Sequence, residues 1–408
     1  MATATSHHLP AYEAREAVAA LHGLGSLKVR AQAAAEVAAR YAEEVDRDAR
    51  FPKEALAALR QNQLLGLLIP ADLGGEGASV SEVADACYIL GRACASAALT
   101  YAMHQINVAC LVRHSGGNAW QERLQRDIAE KQLLLASSTT EGAKGGDIRS
   151  SEAAIQPDNS RIAIERNASV ISYGEYADAI VTTARREEAS VSSDQVLVAF
   201  EKSDYTLERT HSWDTLGMRG TCSVGFILRA QGERDQILSE PYEVIHGQTM
   251  MPLANLLWSA VWTGIAAGAV QRARSFVRKA RGAAAGKLPP GAAHLTRARA
   301  SLDTLRGAVQ SSIRMFEYNS LDARRLNAID VQTALNLLKV ETSELAVAIV
   351  LSAMRTCGLA GYRNDGEFSM GRHLRDILSS PIMISNDRIL ASAQIPALLG
   401  DAPAGLFE

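Results

Sequence analysis

Hydrophobic and polar positions follow two different periods along the chain, and the change of period divides it into three parts. Up to about residue 131, apolar residues recur at helical spacing, and Pro52 opens one segment where a helix first turn tolerates proline. Ser79 and Glu82 form a capping-box pattern that predicts the start of a further helix. The pattern therefore predicts an N-terminal helical domain over residues 1–131.

The middle of the chain changes to short β-branched runs. RIAIE, AIVTTA, QVLVAF and SVGFIL alternate with turn-forming stretches such as QPDNS and QGERD. Because helix-length connections are missing, this pattern predicts a compact antiparallel β-domain over residues 132–240 and not a set of βαβ units. From 241 to 408 the helical period returns, and the amphipathic stretch Ile329–Met354 predicts a helical bundle.

Composition narrows the class of protein. The chain has 408 residues, of which 47 % are apolar and 21 % charged, with a net charge of −3, which is ordinary for a soluble enzyme. The signs of charge are mixed and no basic stripe appears, so we expect no nucleic-acid partner. The apolar run Pro252–Val270 is rich in Ala and Gly and contains Ser259, which favours a buried helix over a membrane span.

The cysteines and the N-terminal sequence indicate the cellular compartment, and the spacing of possible metal ligands indicates whether a metal site is present. Five scattered cysteines without a CxxC pair favour reduced thiols in a cytoplasmic protein, and residues 1–18 lack the pattern of a secretory signal. No His, Cys and carboxylate cluster has metal-ligand spacing, so we expect no metal.

Three loops of the β-domain carry the candidate chemistry. The first, Ser138–Asp147 (STTEGAKGGD), follows an apolar run and holds three glycines, two threonines and acids. Glycines let the backbone approach a flat or phosphorylated ligand, and threonine hydroxyls can bond it. The second is Trp213–Ser223 (WDTLGMRGTCS), and the third, VISYGEYADAIVTTA, places Ser172 at a strand end. Together they favour a ligand site on the β-domain.

The order of these elements resembles the acyl-CoA dehydrogenase flavoprotein superfamily. PKEALAALRQNQLLGLLIPADLGGEG looks like that family's N-terminal pattern, TTEGAKGGD like its Thr-Glu-Pro-x-x-Gly-Ser-Asp loop, and WDTLGMRGTCS like its Gly-Met-Arg-Gly-Thr signature. The resemblance covers about residues 26–400. It implies an α+β fold with an N-terminal helical domain, a central antiparallel β-barrel-like domain and a C-terminal four-helix bundle.

The resemblance implies a flavin cofactor, with FAD expected and FMN as the alternative. The isoalloxazine ring needs polar groups at its N1, N5 and carbonyl edges. By resemblance, Thr139 and Thr140 face the pyrimidine edge, and Ser172 contacts N5. Gly146 stands where the family often has serine, and Val170 where many members have tryptophan. Arg219 and Ser223 are implied as substrate-binding residues, with a turn-stabilising pair as the alternative.

The adenine half of FAD is completed by a neighbouring subunit in this family. The candidates here are the RTCGLAG turn, a displaced arginine and an asparagine near the C-terminus: Arg355, Gly358, Gly361, Arg281 and Asn386. Because this contact is shared between chains, we expect a homotetramer or a homodimer. An acyl thioester substrate and an electron-transfer partner or a flavin reductase are the other implied partners.

The catalytic base is where the sequence departs from the family. A dehydrogenase needs a carboxylate within reach of the substrate α-proton. The family usually places a glutamate eight residues after an Arg-Asp pair, and this chain has Ile384 at that position. Some members carry the glutamate on the first helix of the C-terminal bundle instead, and this chain has Ser259 there. Neither residue can accept the proton.

Three interpretations therefore stay open. Asp387 is a displaced base, or it belongs to an exposed salt bridge or a helix cap. Alternatively, the chain is a flavin-dependent monooxygenase of this fold, in which His104 and Ser172 act near the flavin; a lone helical histidine is otherwise a structural residue. Thirdly, it is a flavin-binding member with little dehydrogenase activity, such as an assembly partner. The fold-wide match favours an acyl-thioester oxidoreductase that transfers hydride to FAD N5.

Overall fold

The computed structural model describes residues 25–142, 148–158 and 161–399. Gly146 lies outside these ranges. The N-terminal part consists of helices separated by short loops: α1 Leu27–Arg47, α2 Lys53–Gln61, α3 Val80–Gly91, α4 Ala95–His114 and α5 Ala119–Lys131.

Local signals place the ends of these helices. Ser79 and Glu82 make the reciprocal capping box that the sequence predicts, and α3 begins at the next residue. Asn118 caps α5 through bonds from the N–H groups of Trp120 and Gln121. The buried face of α1 is built mainly of alanines, which let α2 and α3 pack closely against it.

Two sheets form the middle of the molecule. The first contains β1 Leu135–Ser138, β4 Ala179–Arg185 and β5 Gln195–Glu201 in the order β1-β4-β5. The second contains β2 Gln156–Asp158, β3 Arg161–Ile171, β6 Tyr205–His211 and β7 Val224–Glu233 in the order β2-β3-β7-β6. The strands β4 and β5 are buried on both faces, as their continuous apolar runs require.

One strand pairing differs from the sequence prediction. β1 and β4 are parallel, with Leu135 opposite Ala179, whereas every other strand pair in the described ranges is antiparallel. The reason is the long excursion through β2 and β3 between them, since a parallel pair needs a crossover connection. The Asp178 carboxylate fixes the register by accepting the Leu134 N–H at 2.7 Å.

The C-terminal part returns to helices. After a short helix and a π-helical turn at His246–Met250, the long helices pack side by side. Their bounds are α6 Tyr242–Ile245, α7 Met251–Ala283, α8 Ala292–Asn319, α9 Ala323–Leu326, α10 Ile329–Cys357, α11 Leu359–Tyr362, α12 Gly371–Ile377 and α13 Asn386–Leu399. The predicted amphipathic stretch corresponds to α10.

The helix that runs through residues 242–283 is long and apolar enough to span a membrane by length and composition, but 94 % of its most apolar window is buried inside the protein. That burial is typical of a core helix. Close packing fixes its position: a Cβ on Gly91 would lie 2.5 Å from the Val261 carbonyl, and one on Gly264 would lie 2.4 Å from the Tyr88 carbonyl. Helices α3 and α7 therefore cross in direct backbone contact.

The order of helical, β and helical parts and their packing confirm the predicted fold class.

Candidate functional site

The three loops singled out in the sequence meet at one end of the two sheets. The Thr140 carbonyl accepts a bond from the Ser169 N–H at 3.3 Å, and Glu141 pairs with Ala168 in an isolated bridge. Tyr173, two residues after β3 ends, donates its hydroxyl to the Leu135 carbonyl at 3.0 Å and its N–H to the Thr221 carbonyl at 2.8 Å. The fold therefore brings together loops that are about 80 residues apart along the chain.

A buried ion pair holds the first loop. Glu141 lies 3.4 Å from the Arg166 guanidinium, and both side chains are nearly inaccessible to solvent. The Glu141 carboxylate also accepts N–H bonds from residues 152 and 153 at 2.6 and 3.1 Å. Arg166 in turn donates to Ser151 at 3.1 Å and to the Thr183 carbonyl. The acid of the TTEG motif thus fixes Thr139 and Thr140, and burial lowers the pKa of Arg166.

Four groups form a continuous hydrogen-bonded row, which we call the hydroxyl chain. The Oγ atoms of Ser172 and Ser223 are 2.7 Å apart, and those of Ser223 and Thr221 are 2.8 Å apart. The Thr221 hydroxyl donates to the Met218 carbonyl at 2.8 Å. Thr221 and Ser223 are buried and Ser172 is partly exposed, so the chain has one end open to a ligand.

The turn that carries this chain is held from the helical bundle. Met218 and Cys222 have φ values of 53° and 46°, a region that residues with a Cβ rarely adopt. The Met218 N–H donates to the Asp376 carboxylate at 2.8 Å. A Cβ on Gly217 would lie 2.1 Å from the Arg375 carbonyl, so only glycine permits this approach. Burial raises the pKa of Asp376 to about 6, against the opposing effect of Arg372.

Polar atoms without a partner mark the same region as a ligand site. Thr140 Oγ1 and Arg219 Nε, on two of the three loops, are buried and have no hydrogen-bond partner among the described residues. Buried polar groups in folded proteins are normally paired, so two unpartnered groups on the converging loops favour a ligand site there. Hydroxyl and guanidinium groups fit the polar edges of a flavin.

His104 is placed differently from the catalytic hypothesis. Its Nδ1 accepts the Leu135 N–H at 3.1 Å, and its Nε2 lies 2.8 Å from the Leu65 carbonyl. The ring is completely buried, and burial lowers its pKa to about 4. Because both nitrogens bond to backbone groups, neither is available to a substrate or flavin. His104 joins α4 to β1, so the structure supports the structural alternative.

Asn386 also has a structural environment. Its Oδ1 accepts from the Lys339 ammonium at 2.7 Å, and its Nδ2 donates to Ser343 at 3.0 Å and to Glu344 at 3.2 Å. The side chain is buried between α10 and α13, and its donors and acceptor are used there. The cofactor-binding hypothesis for Asn386 is therefore corrected: it anchors the start of α13.

Lys339 is the unexpected member of this cluster. It is completely buried, its ammonium lies 5.7 Å from the centre of the Trp262 ring, and burial lowers its pKa to about 8. Asp387 is the next residue after Asn386, and it lies exposed in the first turn of α13. A negative charge at this end of a helix interacts favourably with the helix dipole.

The remaining nucleotide candidates lie at the other end of the bundle. Arg281 is exposed in the last turn of α7, and Arg355 is exposed near the end of α10. Gly358 ends α10 at φ 54°, and a Cβ on Gly361 would lie 2.7 Å from that of Cys357. Lys339, which contacts Asn386, lies 16 residues before Arg355 on the same helix, or about 24 Å along its axis.

Neither position expected for the base carries a carboxylate. Ile384 has φ 49°, which is strained for a β-branched residue, and Ser259 is completely buried on α7. Within the described ranges, no group of three or more His, Cys, Asp or Glu side chains could hold a metal ion.

Several residues that contact their partners from distant parts of the chain could not be identified from the sequence. Arg166, Asp376 and Lys339 were not singled out for the site, because each meets its partner only through the fold. Thr221 lies inside the quoted WDTLGMRGTCS loop, and its spacing of two from Ser223 was the available signal.

Comparisons with known proteins agree with this architecture. The model of the acyl-CoA dehydrogenase N-terminal domain matches residues 26–132, and that of the C-terminal domain matches residues 248–390. Cyclohex-1-ene-1-carbonyl-CoA dehydrogenase of Geobacter metallireducens is 27 % identical over 91 % of this chain and 96 % of its own length. Amino sugar nitrososynthase DnmZ of Streptomyces peucetius is 25 % identical over 83 % of this chain and 84 % of its own.

Solved structures share the fold. FMN-bound TdsC from Paenibacillus sp. A11-2 superposes with a TM-score of 0.81 at 17 % identity, covering 93 % of this chain and 99 % of its own.

Proposed function

The chain belongs to the acyl-CoA dehydrogenase superfamily, and from this premise we propose that it is a flavin-dependent oxidoreductase that oxidises the α,β-bond of an acyl thioester. The observation that carries the proposal is the convergence of Thr140, Ser172 and Ser223 at one end of the sheets. A bound flavin supplies the hydride acceptor at N5. Thr139 and Thr140 would hold its pyrimidine edge and Ser172 its N5 edge, while Arg219 and Ser223 would orient the substrate.

Removal of the substrate α-proton needs a second group that acts as a general base. Asp387 is proposed as the base because it is the carboxylate next to the segment in which the family carries its glutamate, and it is exposed. The buried Asp376 is unsuited to that task, since its Oδ1 accepts the Met218 N–H. A general base must reach the proton that it removes, so substrate binding would have to bring the α-carbon to the start of α13.

FAD is the proposed form of the flavin, and a homotetramer or homodimer the proposed assembly. The adenine half of an FAD bound to another subunit would contact this end of the bundle. The groups available to it are the exposed guanidiniums of Arg281 and Arg355 and the Gly358–Gly361 turn. Large apolar side chains are exposed nearby and on α13, which favours burial against a second copy: Leu359, Tyr362, Ile382, Ile395, Leu398 and Leu399.

A soluble electron acceptor, such as an electron-transfer protein, would reoxidise the flavin. We propose a cytoplasmic location, since all five cysteines are free thiols, four of them buried.

The experiment is an anaerobic titration of the purified, flavin-loaded protein with a panel of acyl thioesters, followed by absorbance. Bleaching of the flavin by at least one thioester is the expected result. A protein that takes up no flavin, or a flavin that no thioester reduces, would contradict the proposal.

A second candidate function is supported by one observation. The expected base positions hold Ile384 and Ser259, so the usual site lacks the carboxylate that dehydrogenation needs. A flavin-dependent monooxygenase requires no such base. TdsC is described as a dibenzothiophene monooxygenase and DnmZ as an amino sugar nitrososynthase. Product formation that depends on oxygen and on a separate flavin reductase, without anaerobic bleaching, would establish this alternative.

A further inference from the structure

The protons of the hydroxyl chain can be assigned by counting donors. A serine or threonine hydroxyl has one proton and two lone pairs. The Thr221 proton is used at the Met218 carbonyl, which has no proton to give, at 2.8 Å. The contact of 2.8 Å between Thr221 and Ser223 must then use the Ser223 proton. By the same count, the contact of 2.7 Å between Ser223 and Ser172 must use the Ser172 proton.

Ser172 is therefore left with lone pairs only at the open end of the chain. In this order it can accept a hydrogen bond from a ligand but cannot donate one. A reduced flavin carries a proton on N5, whereas the N5 of an oxidised flavin is an acceptor. The order of protons in the structure fits the reduced form.

We infer that Thr221 is a positioning residue that orients the Ser172 hydroxyl as an acceptor, so that the site binds reduced flavin more tightly than the reversed order would allow. This inference rests on the proposed flavin site and goes beyond it. Thr221 does not touch the cofactor, yet its hydroxyl would change how much more tightly the site binds reduced flavin than oxidised flavin.

The reversed order shows why Thr221 decides the direction. To donate to an oxidised flavin, Ser172 must accept from Ser223, which must accept from Thr221. Thr221 would then leave the Met218 carbonyl, which still accepts from the Trp213 indole N–H at 3.1 Å and from the Thr221 N–H at 3.1 Å. Both orders are thus accessible, and the one that is favoured depends on the Thr221 hydroxyl.

Removing that hydroxyl affects the two orders differently. In Thr221→Val, the buried Ser223 proton loses its acceptor in the order that suits reduced flavin. In the reversed order Ser223 still donates to Ser172, and Ser172 to the ligand. The two backbone bonds of residue 221, to Met218 and from Tyr173, do not need the side chain. Valine also keeps the β-branched shape.

The test measures binding and not turnover. The apo-protein is titrated anaerobically with oxidised FAD and with chemically reduced FAD, for the wild type, Thr221→Val, and the control Thr304→Val on the exposed face of α8. We expect Thr221→Val to weaken binding of reduced FAD roughly fivefold more than binding of oxidised FAD, the size of one hydrogen bond. The midpoint potential of bound FAD would fall by about 20 mV, since tenfold corresponds to about 30 mV.

A double-mutant cycle separates positioning from a general structural effect. In the Ser172→Ala background, Thr221→Val should no longer change the ratio of the two affinities, because the group that it orients is absent. A ratio that stays at the wild-type value in Thr221→Val, or that changes equally with and without Ser172, would overturn the inference while leaving the flavin site intact. A wild type that binds neither form of FAD would overturn the proposed function as well.

Discussion

The sequence predicts functional residues in two regions, and the polar groups of these regions differ in whether they are already hydrogen-bonded within the protein. At the end of the sheets, the Thr140 hydroxyl is unpartnered among the described residues, and the hydroxyl chain ends at the partly exposed Ser172. At the start of α13, the Asn386 amide is occupied by Lys339, Ser343 and Glu344. The first region therefore keeps polar groups for a ligand, while the Asn386 side chain in the second holds helices together and leaves only the exposed Asp387 for chemistry. A polar residue in a family motif can bind a ligand only if the fold leaves it hydrogen-bonding capacity that a ligand can reach.

The largest expected effect follows from the ion pair beneath the first region. Arg166→Met would leave the Glu141 carboxylate buried without its cation, which costs about 3–5 kcal/mol in the free energy of unfolding. We expect flavin binding to weaken with it, because Glu141 fixes Thr140. The measurement is denaturant unfolding together with FAD titration.

The matched control is Arg229→Met. Arg229 bridges Glu165 and Glu208 on the exposed surface, where solvent screens the attraction and such pairs contribute little to stability. Equal losses in the two variants would show that the buried pair has no special role.

The second prediction tests the structural assignment of His104. Its pKa in the folded protein is about 4, below the ordinary 6.5. As the pH falls from about 6.5 to about 4, the unfolded chain takes up a proton at this residue while the folded protein does not. His104 therefore lowers stability over that window by up to about 3 kcal/mol.

The variant His104→Gln keeps a donor and an acceptor but cannot be protonated, so its unfolding free energy should fall less steeply with acid than that of the wild type. His294→Gln, at a partly exposed position of α8, should follow the wild type. Parallel curves for wild type and His104→Gln would refute the assignment.

These two predictions also show what the sequence can and cannot reveal. The capping box of Ser79 and Glu82 and the period of α10 act within a few residues, so they are legible in the chain. The parallel pairing of β1 with β4, the bond from Met218 to Asp376 and the pairing of Arg166 with Glu141 join distant residues. Periodicity carries no information on such contacts. For this reason the motif loops were found, while the residues that fix them were not.

The third prediction concerns the base. Asp387→Asn should slow anaerobic flavin reduction by an acyl thioester by at least about 10²-fold, the scale for a lost general base. Its stability should change little, since the residue is exposed. The control is Asp330→Asn, an exposed first-turn carboxylate of α10. Reduction at the wild-type rate in Asp387→Asn would remove this residue from the mechanism and show that another group takes the α-proton.

The most direct test of the account is FAD affinity in two variants, one from each region, measured by titration of the apo-protein. Thr140→Val removes the unpartnered hydroxyl and should weaken binding roughly fivefold, because one hydrogen bond to the ligand is lost. Lys339→Met removes the cation that holds Asn386 and should leave the affinity unchanged. An unaltered affinity in Thr140→Val together with a loss of binding in a folded Lys339→Met would place the cofactor in the other region and contradict the account.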